Sequence, residues 1–191
     1  MTNSPQEPAN GEYYFTYTQM HRLVQKLAKR IEESGFNPDF MIAIGTGGFI
    51  PARILKIYIN RKVLTVGLSY YDENDNRMEK LRRIQWLDDD QEKLNGKNVL
   101  LVDEVNDSGG TLEYTLSELL KCNPKEIAVV VLHDKKKEKL GHIPPEIKRY
   151  FVGEYTLDRW IHYPWESTDI DYHNYMAAKF VQQSGRYIFE S

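Results

Sequence analysis

The stretch Val99–Leu112 reads VLLVDEVNDSGGTL, and its two halves make opposite electrostatic demands. Four apolar residues run into Asp103 and Glu104, and Asn106-Asp107 then leads into Ser108-Gly109-Gly110-Thr111. An unbroken apolar run of this kind reads as a strand buried on both faces. Glycines placed directly after it allow positive φ and close approach of the backbone to a ligand. Successive N–H groups can then cradle an anion, helped by a following helix N-terminus. Carboxylates repel anions but accept hydrogen bonds from hydroxyl groups, and a vicinal diol suits them. A diol beside a phosphate satisfies both halves, and a ribose phosphate is such a molecule. The competing reading makes the acids solvated turn and cap residues; three acids beside SGGT weigh against it.

Outward from this stretch the chain alternates. Phe40–Ile44 (FMIAI) is a second buried run, stopped by Gly45-Thr46-Gly47-Gly48, and Ile127–Leu132 is a third. Helical spacing follows Thr18, a candidate cap, through Leu23, Val24, Leu27, Ala28 and Ile31 to Gly35. Helices are also expected over Ile50–Ile59, with Pro51 in the first turn, over Leu112–Leu120, and near Tyr175–Val181. Val63–Tyr71 and Arg82–Trp86 read as strands, with a polar loop over residues 72–80 between them. Strands alternating with helices predict an α/β fold with a mainly parallel central sheet flanked by helices. In such a sheet ligands sit beyond the carboxyl ends of the strands, where both glycine loops fall. The alternation fades from Lys135 onward.

The 191 residues favour one domain, and 41% hydrophobic with 28% charged residues is ordinary globular composition. A net charge of -3 makes no case for nucleic acid or an anionic membrane as partner. The single cysteine, Cys122, excludes an intrachain disulfide and fits a reducing compartment. No apolar run has spanning length, and the polar N-terminus reads as neither signal nor transit peptide. A cytoplasmic protein is expected, with residues 1–12 flexible and 13–191 forming one domain.

The motif in Val99–Leu112 resembles the phosphoribosyl diphosphate-binding signature of the type I phosphoribosyltransferases: an apolar strand, two acids, an apolar residue, any residue, an acid, a small residue and G-G-T. AIGTGGFIPARIL (Ala43–Leu55) resembles that family's pyrophosphate loop and helix, and SYYDENDNR (Ser69–Arg77) its flexible catalytic loop. RWIHYPWES (Arg159–Ser167) resembles the purine-binding segment of the 6-oxopurine branch, fungal hypoxanthine-guanine and xanthine enzymes most of all. The likeness spans most of residues 13–173. It implies a purine salvage enzyme that uses phosphoribosyl diphosphate with Mg²⁺, forms a homodimer or homotetramer, and carries a purine-binding hood within residues 135–191.

The same resemblance implies residue roles. Asp103 and Glu104 would hold ribose hydroxyls, directly or through Mg²⁺, with Glu166 a further acid near the metal. Asp107, Ser108, Gly109, Gly110 and Thr111 would bind the phosphate, while Thr46, Gly47, Gly48, Arg53 and Arg77 would serve pyrophosphate. Ser69 and Tyr70 would open the catalytic loop. Asp107 would be general base at the purine N7, or would position the base by a hydrogen bond. Lys135, or Lys136 in the alternative register, would donate to the purine O6 and so disfavour adenine. Both lysines also fit a solvated basic run, Lys135–Lys137. Trp160 would stack on the purine, whereas on its residues alone it reads as a core aromatic. Ile161 would read the base through its carbonyl.

Two departures from the family pattern stand out. SGGT replaces the Thr-Arg-Thr-Thr usual in fungal relatives, and the first loop lacks a Lys or Arg before its glycine pair. Two rivals remain: a nucleotide-binding regulator of the same fold without catalysis, and a dinucleotide-dependent oxidoreductase. The oxidoreductase is disfavoured because Ile50 stands where a G-x-G-x-x-G motif needs its last glycine. Asp88-Asp89-Asp90 reads as a solvated helix start, and the scattered histidines give no zinc site.

Overall fold

The computed structural model of the protein describes residues 11–71 and 77–184. In chain order these form β1 (Glu12–Tyr14), α1 (Tyr17–Glu33), β2 (Phe40–Gly45), α2 (Phe49–Ile59), β3 (Lys62–Tyr71) and β4 (Arg77–Gln85). Then follow α3 (Asp90–Leu94), β5 (Asn98–Asn106), α4 (Gly110–Leu120), β6 (Glu126–Lys136), β7 (Arg149–Leu157) and β8 (Trp160–His162). A 3-10 turn at Pro164–Glu166 and α5 (Ile170–Ser184) close the described chain. Six strands make one sheet in the order β4-β3-β2-β5-β6-β7. Only the β3–β4 pair is antiparallel, so the expected mainly parallel α/β sheet is present.

Side chains on a strand alternate between faces, and β5 uses this to build two cores. Leu100 and Val102 pack with Met41, Ala43 and Leu27 of α1. Val99 and Leu101 pack with Ile42, Ile44 and the Leu112 and Leu116 stripe of α4. Burial on both faces explains why these strands carry unbroken apolar runs. Helix α1 starts at Thr16, not Thr18. The Thr16 hydroxyl accepts the Gln19 N–H while the Gln19 side chain accepts the Thr16 N–H, a reciprocal capping box.

Strand ends differ most from expectation, because pairing continues past the apolar residues. Strand β5 runs on to Asn106 and β6 to Lys136, so Asp103, Glu104 and Lys135 stand on strands rather than beyond them. Residues 77–80, expected in a loop, lie in β4, where Tyr71 pairs with Arg77; the remainder of that loop, residues 72–76, is outside the described residues. Strand β4 is at the sheet's edge, and charged residues suit an edge strand. Strand β7 was not anticipated; it forms the opposite edge, pairing with β6 from Ala128↔Arg149 to Lys136↔Leu157. Helix α5 is longer than expected at both ends. Residues 1–10 lie outside the description, and Glu12 already belongs to β1, which pairs in parallel with β8 as a separate two-stranded sheet. No described helix is long and apolar enough to cross a membrane.

Candidate active site

Strands β2 and β5 are neighbours, and the chain leaves them toward opposite sides, to β3 from one and to β6 from the other. A crevice opens at the carboxyl ends of such a pair. It forms a cleft of about 280 Å³, lined by Thr46 and Gly47 of the first loop, by Asp103 and Glu104 at the end of β5, and by Asp107, Ser108, Gly109 and Thr111 where the chain passes into α4. The Gly45–Thr46 peptide bond is cis. At Gly47 a Cβ would fall 1.9 Å from the Glu104 Cδ, so a side chain there would displace the Glu104 carboxylate from its place beside the first loop. Gly109 has φ +88 and caps α4, whose first residue is Gly110. A larger groove of about 610 Å³ between α1 and α2 contains none of Asp103, Glu104 and Asp107.

The three acids sit in different electrostatic surroundings. Asp103 is buried, and its Oδ1 accepts the Glu104 N–H at 2.8 Å. Burial first and the adjacent Glu104 second push its carboxyl well above the usual range. Glu104 is raised to about 7, by burial and then by Glu166, against a hydrogen bond from the Trp165 indole at 3.2 Å. The Tyr163 hydroxyl donates to the Glu104 carbonyl at 3.2 Å. Asp107 goes the other way. Burial alone would raise it, but the ammonium groups of Lys137 and Lys135 together hold it below the usual range. The ion-pair distances are 2.6 Å from Lys137 Nζ to Oδ1 and 3.3 Å from Lys135 Nζ to Oδ2.

Lys135 and Lys137 both reach Asp107, whereas the Lys136 Nζ lies 5.4 Å from the Tyr155 ring centroid. Lys135 is only 7% exposed, which overturns the solvated-run reading for it. Its Nζ is also 5.9 Å from the ring centroid of Trp160. Trp160 is 63% exposed and therefore not a core residue, while Ile161 beside it is buried and paired to β1. Lys137 was missed; it stands just past the end of β6, where a tight turn, its N–H donating to the Lys135 carbonyl at 3.0 Å, accompanies its approach to Asp107. Tyr163 and Trp165 were missed because no short-range pattern shows a contact sixty residues away.

Other expected residues stand apart. Arg53 is exposed on α2 and does not line the cleft. Ser69 lies on β3, opposite Arg82. The side chains of Tyr70 and Arg77 fall outside the described residues. Among the described residues no three His, Cys, Asp or Glu side chains are gathered to hold a metal ion, so Asp103, Glu104 and Glu166 do not form a preformed cage. Asp103 is turned to backbone, Glu104 to Trp165, and Glu166 is exposed. The raised carboxyls of Asp103 and Glu104 nonetheless suit a hard cation. Mg²⁺ commonly takes one or two carboxylates and completes its shell with water and substrate phosphates.

Residues 14–164 match the family model described as phosphoribosyl transferase domain. The chain is 40% identical to the hypoxanthine-guanine phosphoribosyltransferase of Saccharomyces cerevisiae, covering 90% of this chain and 93% of that protein. It is 35% identical to xanthine phosphoribosyltransferase 1 of the same yeast, covering 88% and 96%. Among solved structures, a hypothetical protein from Neisseria gonorrhoeae with bound ppGpp superposes at TM-score 0.81 and 45% identity, covering 92% of this chain and 97% of that one. A purine phosphoribosyltransferase from Pyrococcus horikoshii superposes at TM-score 0.65 and 27% identity, covering 83% and 96%. By this match and the acid-and-glycine cleft at its centre, the chain belongs to the phosphoribosyl transferase domain family.

Proposed function

We propose that the protein transfers the phosphoribosyl group of phosphoribosyl diphosphate to a ring nitrogen of a 6-oxopurine, giving a nucleoside 5'-monophosphate and pyrophosphate. One observation carries the reading furthest: Asp107 and the exposed ring of Trp160 meet at the same buried ammonium, Lys135. A purine resting on Trp160 would present its O6 to Lys135, which can only donate and so favours an oxo group over an amine. Asp107, held ionised by its two lysines, would accept the N7 proton or its hydrogen bond. The N–H groups of Ser108–Thr111 would hold the 5'-phosphate, and the Thr46–Gly48 loop the pyrophosphate.

The bond that breaks joins ribose C1' to the pyrophosphate oxygen, and the bond that forms joins C1' to the purine nitrogen. Positive charge builds on the ribose ring between these events, and Asp103 and Glu104 lie on the cleft wall to face it and the ring hydroxyls. Mg²⁺ held by Asp103 and Glu104 with the substrate's oxygens would neutralise the leaving pyrophosphate. A dimeric or tetrameric, cytoplasmic enzyme goes with this reading.

The test is nucleotide formation from phosphoribosyl diphosphate with hypoxanthine, guanine, xanthine and adenine in turn. Turnover is expected with 6-oxopurines and not with adenine; no turnover with any purine at saturating Mg²⁺ refutes the proposal. The bound ppGpp of the Neisseria relative supports a second occupant of the same cleft. Its guanine would take the purine position, and its diphosphates would lie at the two glycine loops. Inhibition by ppGpp competitive with phosphoribosyl diphosphate is the expected result, and noncompetitive inhibition would place it elsewhere.

A further inference from the structure

The segment Lys139–Gly141 follows β6 and carries no role in the reading above, yet it engages the phosphate loop at three successive carbonyls. Lys139 Nζ donates to the carbonyl oxygens of Asn106, at 2.6 Å, and Asp107, at 2.8 Å. The N–H groups of Leu140 and Gly141 both donate to the Ser108 carbonyl, at 2.9 and 3.0 Å. These oxygens belong to the peptide units whose N–H groups are those of Asp107, Ser108 and Gly109. In a trans peptide the N–H points opposite to the C=O. Anchoring the three oxygens on one side therefore turns the three N–H groups to the other, as an anion nest requires.

The anchor is itself fixed. Lys139 Nζ pairs with Asp134 Oδ1 at 2.9 Å, and Asp134 Oδ2 accepts from the Asn106 amide at 2.9 Å and from the Tyr150 hydroxyl. Asp134 and Lys139 are largely buried, so the ammonium is held where it polarises the loop's peptides. The backbones of the two segments touch. A Cβ on Gly109 would fall 2.1 Å from the Gly141 carbonyl oxygen, and one on Gly141 would fall 2.6 Å from the Gly109 carbonyl carbon.

We propose that Lys139 is a positioning residue for the phosphate site: seated on Asp134, it fixes the carbonyls of Asn106 and Asp107 so that the loop's N–H groups face the 5'-phosphate. This rests on the phosphoribosyl reading of the loop. The test compares binding of guanosine 5'-monophosphate and guanosine by calorimetry. Wild-type protein is expected to prefer the nucleotide. Lys139→Met should weaken the nucleotide about tenfold, the effect of losing one charge-assisted contact, and guanosine by less than about twofold. Lys139→Arg should restore most of the nucleotide affinity. Gly141→Ala, which keeps the charge but pushes on the loop, should weaken the nucleotide selectively too, and it carries the test if the methionine variant does not fold. Unchanged nucleotide affinity in a folded Lys139→Met, or equal weakening of nucleotide and nucleoside, overturns the positioning role. A wild-type chain that binds both ligands equally overturns the phosphate-site reading, and the positioning role with it.

Discussion

Replacing Glu104 by Gln should make the protein more stable at neutral pH while abolishing its activity. Glu104 is raised from 4.5 to about 7 by burial and by Glu166. A carboxyl raised on folding binds its proton more tightly in the native state. Its contribution is therefore neutral below the unfolded value and turns destabilising as pH climbs through 4.5 toward 7. At about 1.4 kcal/mol per pH unit the full climb amounts to about 3 kcal/mol. Relaxation around the buried charge takes up part of that, so about 2 kcal/mol is the working figure. For a chain of this size that is about 4–8 °C in melting temperature. Glutamine keeps an oxygen for the Trp165 indole, and it removes the charge that Glu166 opposes. Thermal unfolding of both proteins at pH 4 and pH 8 decides the matter. The two should melt together at pH 4, with the variant higher at pH 8. A gap that fails to open with pH, or one of opposite sign, would show that Glu104 is not electrostatically stressed and would remove the argument that its site awaits positive charge.

Asp107→Asn should lower kcat by about a hundredfold or more, while the affinity for phosphoribosyl diphosphate moves far less; equal losses in pre-steady-state binding and turnover would make Asp107 a binding group only. Trp160→Ala should raise the purine KM about tenfold or more, by loss of stacking. Because the ring is exposed, calorimetric melting should stay within about 2 °C of wild type, as for other surface substitutions. Lys135→Met should reduce kcat/KM for 6-oxopurines about tenfold to a hundredfold and narrow the margin over adenine. Removing one of the two cations on Asp107 should also move the acidic limb of the pH–rate profile upward; a profile unchanged from wild type would mean that Lys137 alone sets that ionisation.

What the sequence made legible and what it hid divide along physical lines. Phe40–Ile44 and Val99–Val102 were readable because burial on both faces demands unbroken apolar runs, and the glycine loops because close backbone approach needs glycine. Strand continuation was hidden, since pairing of Asp103 with Val131 and of Lys135 with Thr156 leaves no apolar mark. That continuation carries Lys135 into the ladder, and Lys137, just past the strand's end, joins it at Asp107. Strand β7 was hidden because an edge strand tolerates Arg149, Glu154 and an exposed Tyr155. Contacts on Glu104 from Tyr163 and Trp165 were hidden by distance in sequence. The Thr16 cap was available in the pattern Thr16-Tyr17-Thr18-Gln19, where the glutamine three residues on, rather than the apolar spacing, marks the start.

The three acids of the opening stretch are separated by environment into two kinds, and the separation explains why one short segment can carry both an anion cradle and carboxylates. Asp107 has its cations already, in Lys135 and Lys137, so it stays ionised and presents no unbalanced charge to a phosphate bound at the next residues. Asp103 and Glu104 have none. Asp103 is raised by burial and by Glu104, and Glu104 by burial and by Glu166, so charging either carboxyl is opposed. A ligand that brings positive charge to them, as a cation on entry or as an oxocarbenium-like ribose in the transition state, lowers both and is bound more tightly for doing so. On the proposed function, the lysines on Asp107 would let an anion bind beside it, and Asp103 and Glu104 would stabilise the positive charge that develops on the ribose.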